Sequence, residues 1–270
     1  MWMNFILYAF YISVISLFLF FFAEKFRLVN LIIEQGNTST KVAVYKEGQI
    51  EASFVYKHFD IEVLSAIFEK YTLTKGIYST VTEENEALIA YLKSNLRHFV
   101  LLDETVALPI TIQYKTPGSL GKDRLAAAVG AHYLQPGKDL LVIDAGTAIT
   151  YEVIEASGVY LGGNISPGMT TRFRALNHFT KKLPLVMEEE EIPLIGVDTK
   201  SAIQSGVVNG IICEMDGYIE RLRLKYPNLL VFLTGGHSFY FERRLKKSIF
   251  ADINLVLTGL NIILEYNVED

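Results

Sequence analysis

The stretch "LLVIDAGTAITY", residues 140 to 151, decides how the chain folds. Leu140, Leu141, Val142 and Ile143 read as a strand buried on both faces. The run ends in a carboxylate, Asp144, followed at once by Ala145, Gly146 and Thr147, and a second strand, "ITYEVI", starts directly after. Asp and Gly tolerate turn dihedrals, so a single hairpin of this kind is only a polar turn. This chain carries it twice. "NLIIEQGNTSTKVAVY", about 110 residues earlier, repeats the order strand, acid, glycine, threonine, strand. A turn and a third strand follow in each copy: "IEASFVY" after "KEGQ", and "VYLGG" after "EASG".

Two such turns facing each other have a chemical use. Nucleotide phosphates need backbone N–H groups at close range, hydroxyl donors, and a carboxylate for the accompanying metal ion. Glycine in a tight turn leaves the amides open to approach. Asn37, Thr38 and Thr40 in one turn and Thr147 in the other supply hydrogen-bonding side chains. Glu34 and Asp144, at the strand ends, can meet a cation directly or through water. Other phosphate-binding and catalytic signatures do not occur in the sequence. "GSLGKD" is too short for a Walker loop and lacks its Ser/Thr, no G-x-G-x-x-G follows a strand, and there is no H-E-x-x-H or G-x-S-x-G.

At 270 residues, half of them hydrophobic and a fifth charged, the chain can bury a full core. A net charge of −5 argues against a nucleic-acid partner. The tight basic cluster Arg243 to Lys247 is expected on a helix, as a solvated face. A single cysteine, Cys213, excludes an internal disulfide and a multi-cysteine metal site, and fits a cytoplasmic setting. Phe5 to Ala23 is uncharged and, as a helix of about 28 Å, long enough for a bilayer core. Two readings stand. It is a membrane anchor, with Lys25 and Arg27 keeping the main domain cytoplasmic. Otherwise Val29 is a translated GTG start, and residues 1 to 28 are upstream sequence read in frame.

Further along, helices are expected at Ile61 to Tyr71, at Glu84 to Phe99 behind a Thr82 cap, and at Leu120 to Gln135, ending at Pro136–Gly137. "ALPITIQYKTPGSLG" reads as a loop-rich passage. A long helix from about Lys200 to Tyr226, a strand "LLVFLTGG" and a last helix from Asn254 to Tyr266 complete the chain.

The duplicated hairpin resembles the actin/Hsp70/sugar-kinase superfamily. "EQGNTSTK", "TPGSLGKDRLAAAVGA", "DAGTAITY", "YLGGNISPGM", "DTKSAIQSG" and "LTGGH", in this order and spacing, resemble type III pantothenate kinases from about residue 30 to the end. The resemblance implies an α/β protein of two related lobes with the actin-like (ribonuclease H-like) fold, mixed sheets flanked by helices and ATP in the interlobe cleft. The lobes would span 29–138 and 139–270, after the hydrophobic extension 1–28. The implied activity is transfer of the ATP γ-phosphate to pantothenate, opening coenzyme A synthesis, with Mg²⁺ and a monovalent cation, K⁺ or NH₄⁺, in a homodimer.

Residue by residue, the resemblance makes Glu34, Gln35, Gly36, Asn37, Thr38, Ser39, Thr40 and Lys41 the first phosphate loop, with Glu34 standing where the family has Asp. Thr147 belongs to the second phosphate loop, Asp144 sits near the monovalent cation, and Thr234 to Gly236 lie along adenosine. Asp123 matches the proton acceptor; an acid in a first helical turn is also ordinary, because the dipole favours it. Phosphoryl transfer asks mainly for positioning, so a weak base suffices. Tyr114, Gly121, Lys122, Arg124 and Thr199 match substrate contacts, with Arg124 able to clamp the pantothenate carboxylate. His132 is expected to be structural, and His178 has no assigned role. Another small-molecule kinase of the superfamily, or a nucleotide-binding regulator without catalysis, would keep the same cleft.

Overall fold

Strands β1 (Val29–Gln35), β2 (Thr40–Lys46), β3 (Gln49–Tyr56), β4 (Lys75–Thr80) and β5 (His98–Leu101) form one sheet in the order β3-β2-β1-β4-β5. The first three are antiparallel neighbours, while β4 and β5 run parallel to β1. Strands β7 (Leu140–Ala145), β8 (Ala148–Ile154), β9 (Val159–Pro167), β10 (Leu230–Thr234) and β11 (Phe250–Ala251) repeat that plan as β9-β8-β7-β10-β11, with the same directions. The duplication read from two hairpins therefore extends to five strands in each half. This computed structural model describes residues 29–268; Phe5 to Ala23, with both readings of it, lies outside them. No described helix is long and apolar enough to cross a membrane.

Burial explains the strand sequences. The central β1 is buried over its first six residues, four of them apolar, whereas β3 alternates exposed and half-buried positions as an outer strand does. The loop-rich passage contributes a short strand, β6 (Thr111–Ile112), which runs parallel to β9 and extends the second sheet.

The helices are α1 (Ile61–Lys70), α2 (Glu86–Asn95), α3 (Lys122–Leu134), α4 (Met169–Phe179), α5 (Thr199–Lys225), α6 (Ser238–Glu242) and α7 (Leu255–Asn267). Two expectations need correction. The cap of α2 is Asn85, whose side chain accepts from Ala87 and Leu88 N–H, both at 3.1 Å. Thr82 instead turns the chain after β4, its N–H donating to Thr80 Oγ1 at 3.1 Å. The basic cluster is not helical, because α6 stops at Glu242. Arg243 and Arg244 lie in the following turn and pair with Glu190, and Lys247 pairs with Glu220 at 2.9 Å.

Between the sheets, α3 and α7 cross at glycines. A Cβ on Gly259 would collide with the Ala126 carbonyl, and one on Gly130 with the carbonyl of Leu255. Ile32 and Ile77 of the first sheet, Val142 and Ile154 of the second, and Ala127, Leu260 and Leu264 of these helices share one core. The last helix thus serves the first sheet. Asn30 Nδ2 donates to Asn261 Oδ1 at 2.8 Å, and buried Lys75 meets Glu265 at 3.2 Å.

Candidate functional site

The two hairpin turns open onto one cleft of about 400 Å³. Glu34 pairs with Lys41 across the β1–β2 ladder, and Gly36 N–H closes the turn on Ser39 O at 3.0 Å. In the second hairpin Asp144 stands opposite Thr150, and Gly146 N–H meets Ala148 O at 3.0 Å. Of the residues expected to bind the nucleotide, Glu34, Gly36, Asn37, Thr38, Ser39, Lys41 and Thr147 line this cleft, together with Asp123 and Asp144.

Neighbouring elements shape it. Gly168 N–H and Thr171 Oγ1 both donate to the Thr147 carbonyl, at 3.0 and 2.7 Å, and so fix the start of α4 against the second turn. After β10 the chain turns at Gly235, with φ of +91°, a value that favours glycine. Of the stretch Thr234 to Gly236 matched to adenosine, Gly235 and Gly236 form the wall there beside His237, while Thr234 is buried and does not line the cleft.

The floor is electrostatically strained. Burial pushes the Asp144 carboxyl up to about 6, with Asp123, Glu34 and Glu152 adding to the effect and Lys41 opposing it. Burial also raises Glu34, again with Lys41 opposing and Asp123 adding. Lys41 Nζ lies 3.7 Å from Glu34 Oε2. Glu34, Asp123 and Asp144 are therefore close enough to feel one another, and one lysine is near them. Among the described residues no three His, Cys, Asp or Glu are arranged to hold a metal by themselves. A hard cation fits this all-oxygen surrounding and would relieve Asp144, provided that phosphate and water complete its shell.

Asp123 occupies the first turn of α3, where its Oδ1 accepts from Arg124 N–H at 2.8 Å. Gly121 makes room for it, since a Cβ there would come within 2.6 Å of that oxygen. Lys122 reaches Glu84 at 3.7 Å. The remaining expected residues lie elsewhere. Gln35 accepts from the Tyr78 hydroxyl, and Thr40 is buried. The fork expected of Arg124 is made within the chain: Nε and Nη2 meet the two oxygens of buried Glu152 at 2.7 and 2.8 Å. Its guanidinium also sits 5.8 Å from the Tyr114 ring centre. Thr199 heads α5 and lines a separate, mostly apolar groove between α4 and α5.

Val81, Thr150, Thr170, Thr171, Arg174 and His237 also line the cleft, and the sequence alone did not point to them. For Thr170, Thr171 and Arg174 a signal existed, since their spacing places them on one face of a helix. His132 packs against Gly158 behind the second sheet, and His178 stacks edge-on with Phe179 at 4.8 Å; neither lines the cleft.

The chain matches the family model for type III pantothenate kinases over residues 30–221. It is 47% identical over 239 residues to a type III pantothenate kinase of Phocaeicola vulgatus, covering 88% of this chain and 99% of that one. It is 43% identical to a type III pantothenate kinase of Porphyromonas gingivalis, covering 88% and 99%. Among solved structures, a Campylobacter jejuni protein described as a Baf family transcriptional activator superposes with a TM-score of 0.56 at 24% identity, over 88% of this chain and 98% of that one. A Sinorhizobium meliloti protein described as a 2-dehydro-3-deoxygalactonokinase gives 0.56 at 10% identity, over 88% and 98%. Both of these likenesses bear on the fold alone.

Proposed function

The chain belongs to the type III pantothenate kinase family, and from that premise we propose how its cleft carries out the reaction. The enzyme phosphorylates pantothenate with ATP, the step that opens coenzyme A synthesis. One observation carries the assignment of the site: the Gly36 and Gly146 turns face a common cleft with Asp123 on its wall.

In this reading the two turns hold the triphosphate through their amides and through Asn37, Thr38 and Thr147, and Lys41 offsets part of its charge. Gly235 and Gly236 lie along the nucleoside. Asp123 orients the pantothenate hydroxyl and takes its proton as the new P–O bond forms and the bond from the γ-phosphorus to the bridging oxygen breaks. The products are phosphopantothenate and ADP, with the proton left on Asp123. Positioning supplies most of the catalysis, because little charge separation is required of the base. Mg²⁺, held through Glu34 or Asp144 and phosphate oxygens, would neutralise the developing charge, and K⁺ or NH₄⁺ would sit beside Asp144.

Arg124 serves this site from behind. Its bond to Glu152 and its contact with Tyr114 fix the start of α3, and Lys122 and Gly121 flank the base. We assign the α4–α5 face to a second copy of the chain. Phe179, Leu194, Ile195 and Val197 are 77–92% exposed there, a cluster that the partner of a homodimer would cover. Thr199 opens α5 on this same face, which would bring it toward the partner's substrate site. The proposed setting is the cytoplasm, or the cytoplasmic membrane face if Phe5 to Ala23 is an anchor.

The deciding assay offers ATP, Mg²⁺ and K⁺ with pantothenate, with glucose, or with no acceptor. Transfer to pantothenate alone is the expected result. Transfer to glucose would favour a sugar kinase, and ATP binding without transfer would favour a regulator.

A further inference from the structure

α4 carries two arginines that are used differently. Arg172 is tied down: its Nε donates to Pro167 O at 2.7 Å, and its Nη2 donates to Glu214 Oε2 at 2.6 Å and to Ser166 Oγ at 3.3 Å. Arg174, two residues on, is exposed, lines the nucleotide cleft, and makes no hydrogen bond or ion pair among the described residues. It lies one helical turn beyond Thr170 and Thr171, and the latter is bonded to the second phosphate turn at 2.7 Å.

The charge balance of the cleft makes this arginine conspicuous. Three carboxylates, Glu34, Asp123 and Asp144, line it with two permanent cations, Lys41 and Arg174. Lys41 faces the acids, at 3.7 Å from Glu34. Arg174 pairs with none of them. A long, exposed cationic side chain that lines a cleft, yet leaves its acids alone, suits an anion brought in by the ligand. A planar guanidinium recognises phosphate oxygens in pairs.

We infer that Arg174 is a phosphate-binding residue of this kinase, reaching from α4 to the polyphosphate chain of the nucleotide opposite the Gly36 turn. The inference rests on the nucleotide reading of the cleft given above. Because the side chain is exposed and unpaired, replacing it disturbs no packing in the free protein.

Arg174→Gln and Arg174→Lys are to be compared with the unaltered full-length chain by equilibrium binding of ATP, inorganic triphosphate and adenosine, with thermal melting as the control for folding. Arg174→Gln should weaken ATP and triphosphate about ten-fold, a loss in the range of one charge-assisted hydrogen bond, and leave adenosine and melting unchanged. It should also flatten the salt dependence of ATP binding, and Arg174→Lys should recover part of the loss. Weakening of less than two-fold for triphosphate, or an equal loss for adenosine, overturns the inference while leaving the kinase reading intact. If the unaltered chain binds neither ATP nor triphosphate, both fall together.

Discussion

Asp144 and Gly235 sit so close that only glycine fits the second position: any Cβ at residue 235 would collide with Asp144 Oδ1. Two strands thus meet at a point where the backbone leaving one touches the acid of the other. The backbone at Gly235 is also in the left-handed region, at φ +91°. Gly235→Ala should therefore suffer twice, through strain and through displacement of Asp144. We expect at least a ten-fold loss of ATP affinity and a stability cost of about 1–3 kcal/mol, read by titration and by chemical denaturation.

Asp144 also sets a pH dependence. Its folded value, about 6, lies above its ordinary 3.8, so the fold favours the protonated acid. The stability this contributes is complete below pH 3.8 and is lost as pH rises through 6. Asp144→Asn removes the effect. In the ligand-free protein the variant should gain on the unaltered chain as pH goes from about 5 to about 7.5, and added Mg²⁺ or K⁺ should narrow the gap. A melting-temperature difference that stays flat with pH would count against this account.

Asp123→Asn keeps the size of the side chain and removes the proton acceptor. Turnover of pantothenate should vanish, while ATP binds nearly as before. Calorimetric titration beside a steady-state assay separates the two effects, and retained turnover would remove Asp123 from its role.

Glu152→Gln tests the support beneath that base. The carboxylate is fully buried and faces Arg124 through two bonds, and breaking a buried pair on one side leaves a charge without its partner. A loss of about 3–5 kcal/mol in denaturant titrations is expected.

The helix crossing gives a contrast within one residue type. Gly259→Ala drives a methyl into the Ala126 carbonyl and should destabilise by at least the upper end of the usual cost of overpacking, about 1–3 kcal/mol. Gly217→Ala, on α5 with open space around it, should stabilise by up to about 1 kcal/mol. Denaturation midpoints of the two variants should move in opposite directions.

What the chain discloses by sequence follows a physical line. The hairpins are legible because acid, glycine and hydroxyl lie within a few residues, so local turn chemistry records them. The cleft-lining residues on those turns are legible for the same reason. The parts that escape depend on distant partners. Arg124 reads as a free clamp until β8 brings Glu152 to it from 28 residues away. Arg174 and Thr171 join the cleft only because α4 is bonded to the Thr147 turn. β6 has two residues and takes its identity from β9. Asn85 and Thr82 are both plausible caps by type, and the path leaving β4 chooses between them.

The last helix has a consequence for how the molecule is made. Ile32 and Ile77 complete their core against Leu260 and Leu264, and Asn30 finds Asn261, from the far end of the polypeptide. Until α7 has been made and has emerged, the first sheet has nothing to cover the side that this helix occupies. Synthesis from the N-terminus therefore yields an exposed apolar surface early and closes it last. The first half thus completes its core only once α7 has been made, and a chain cut before Leu255 would leave Ile32 and Ile77 as a binding surface for chaperones.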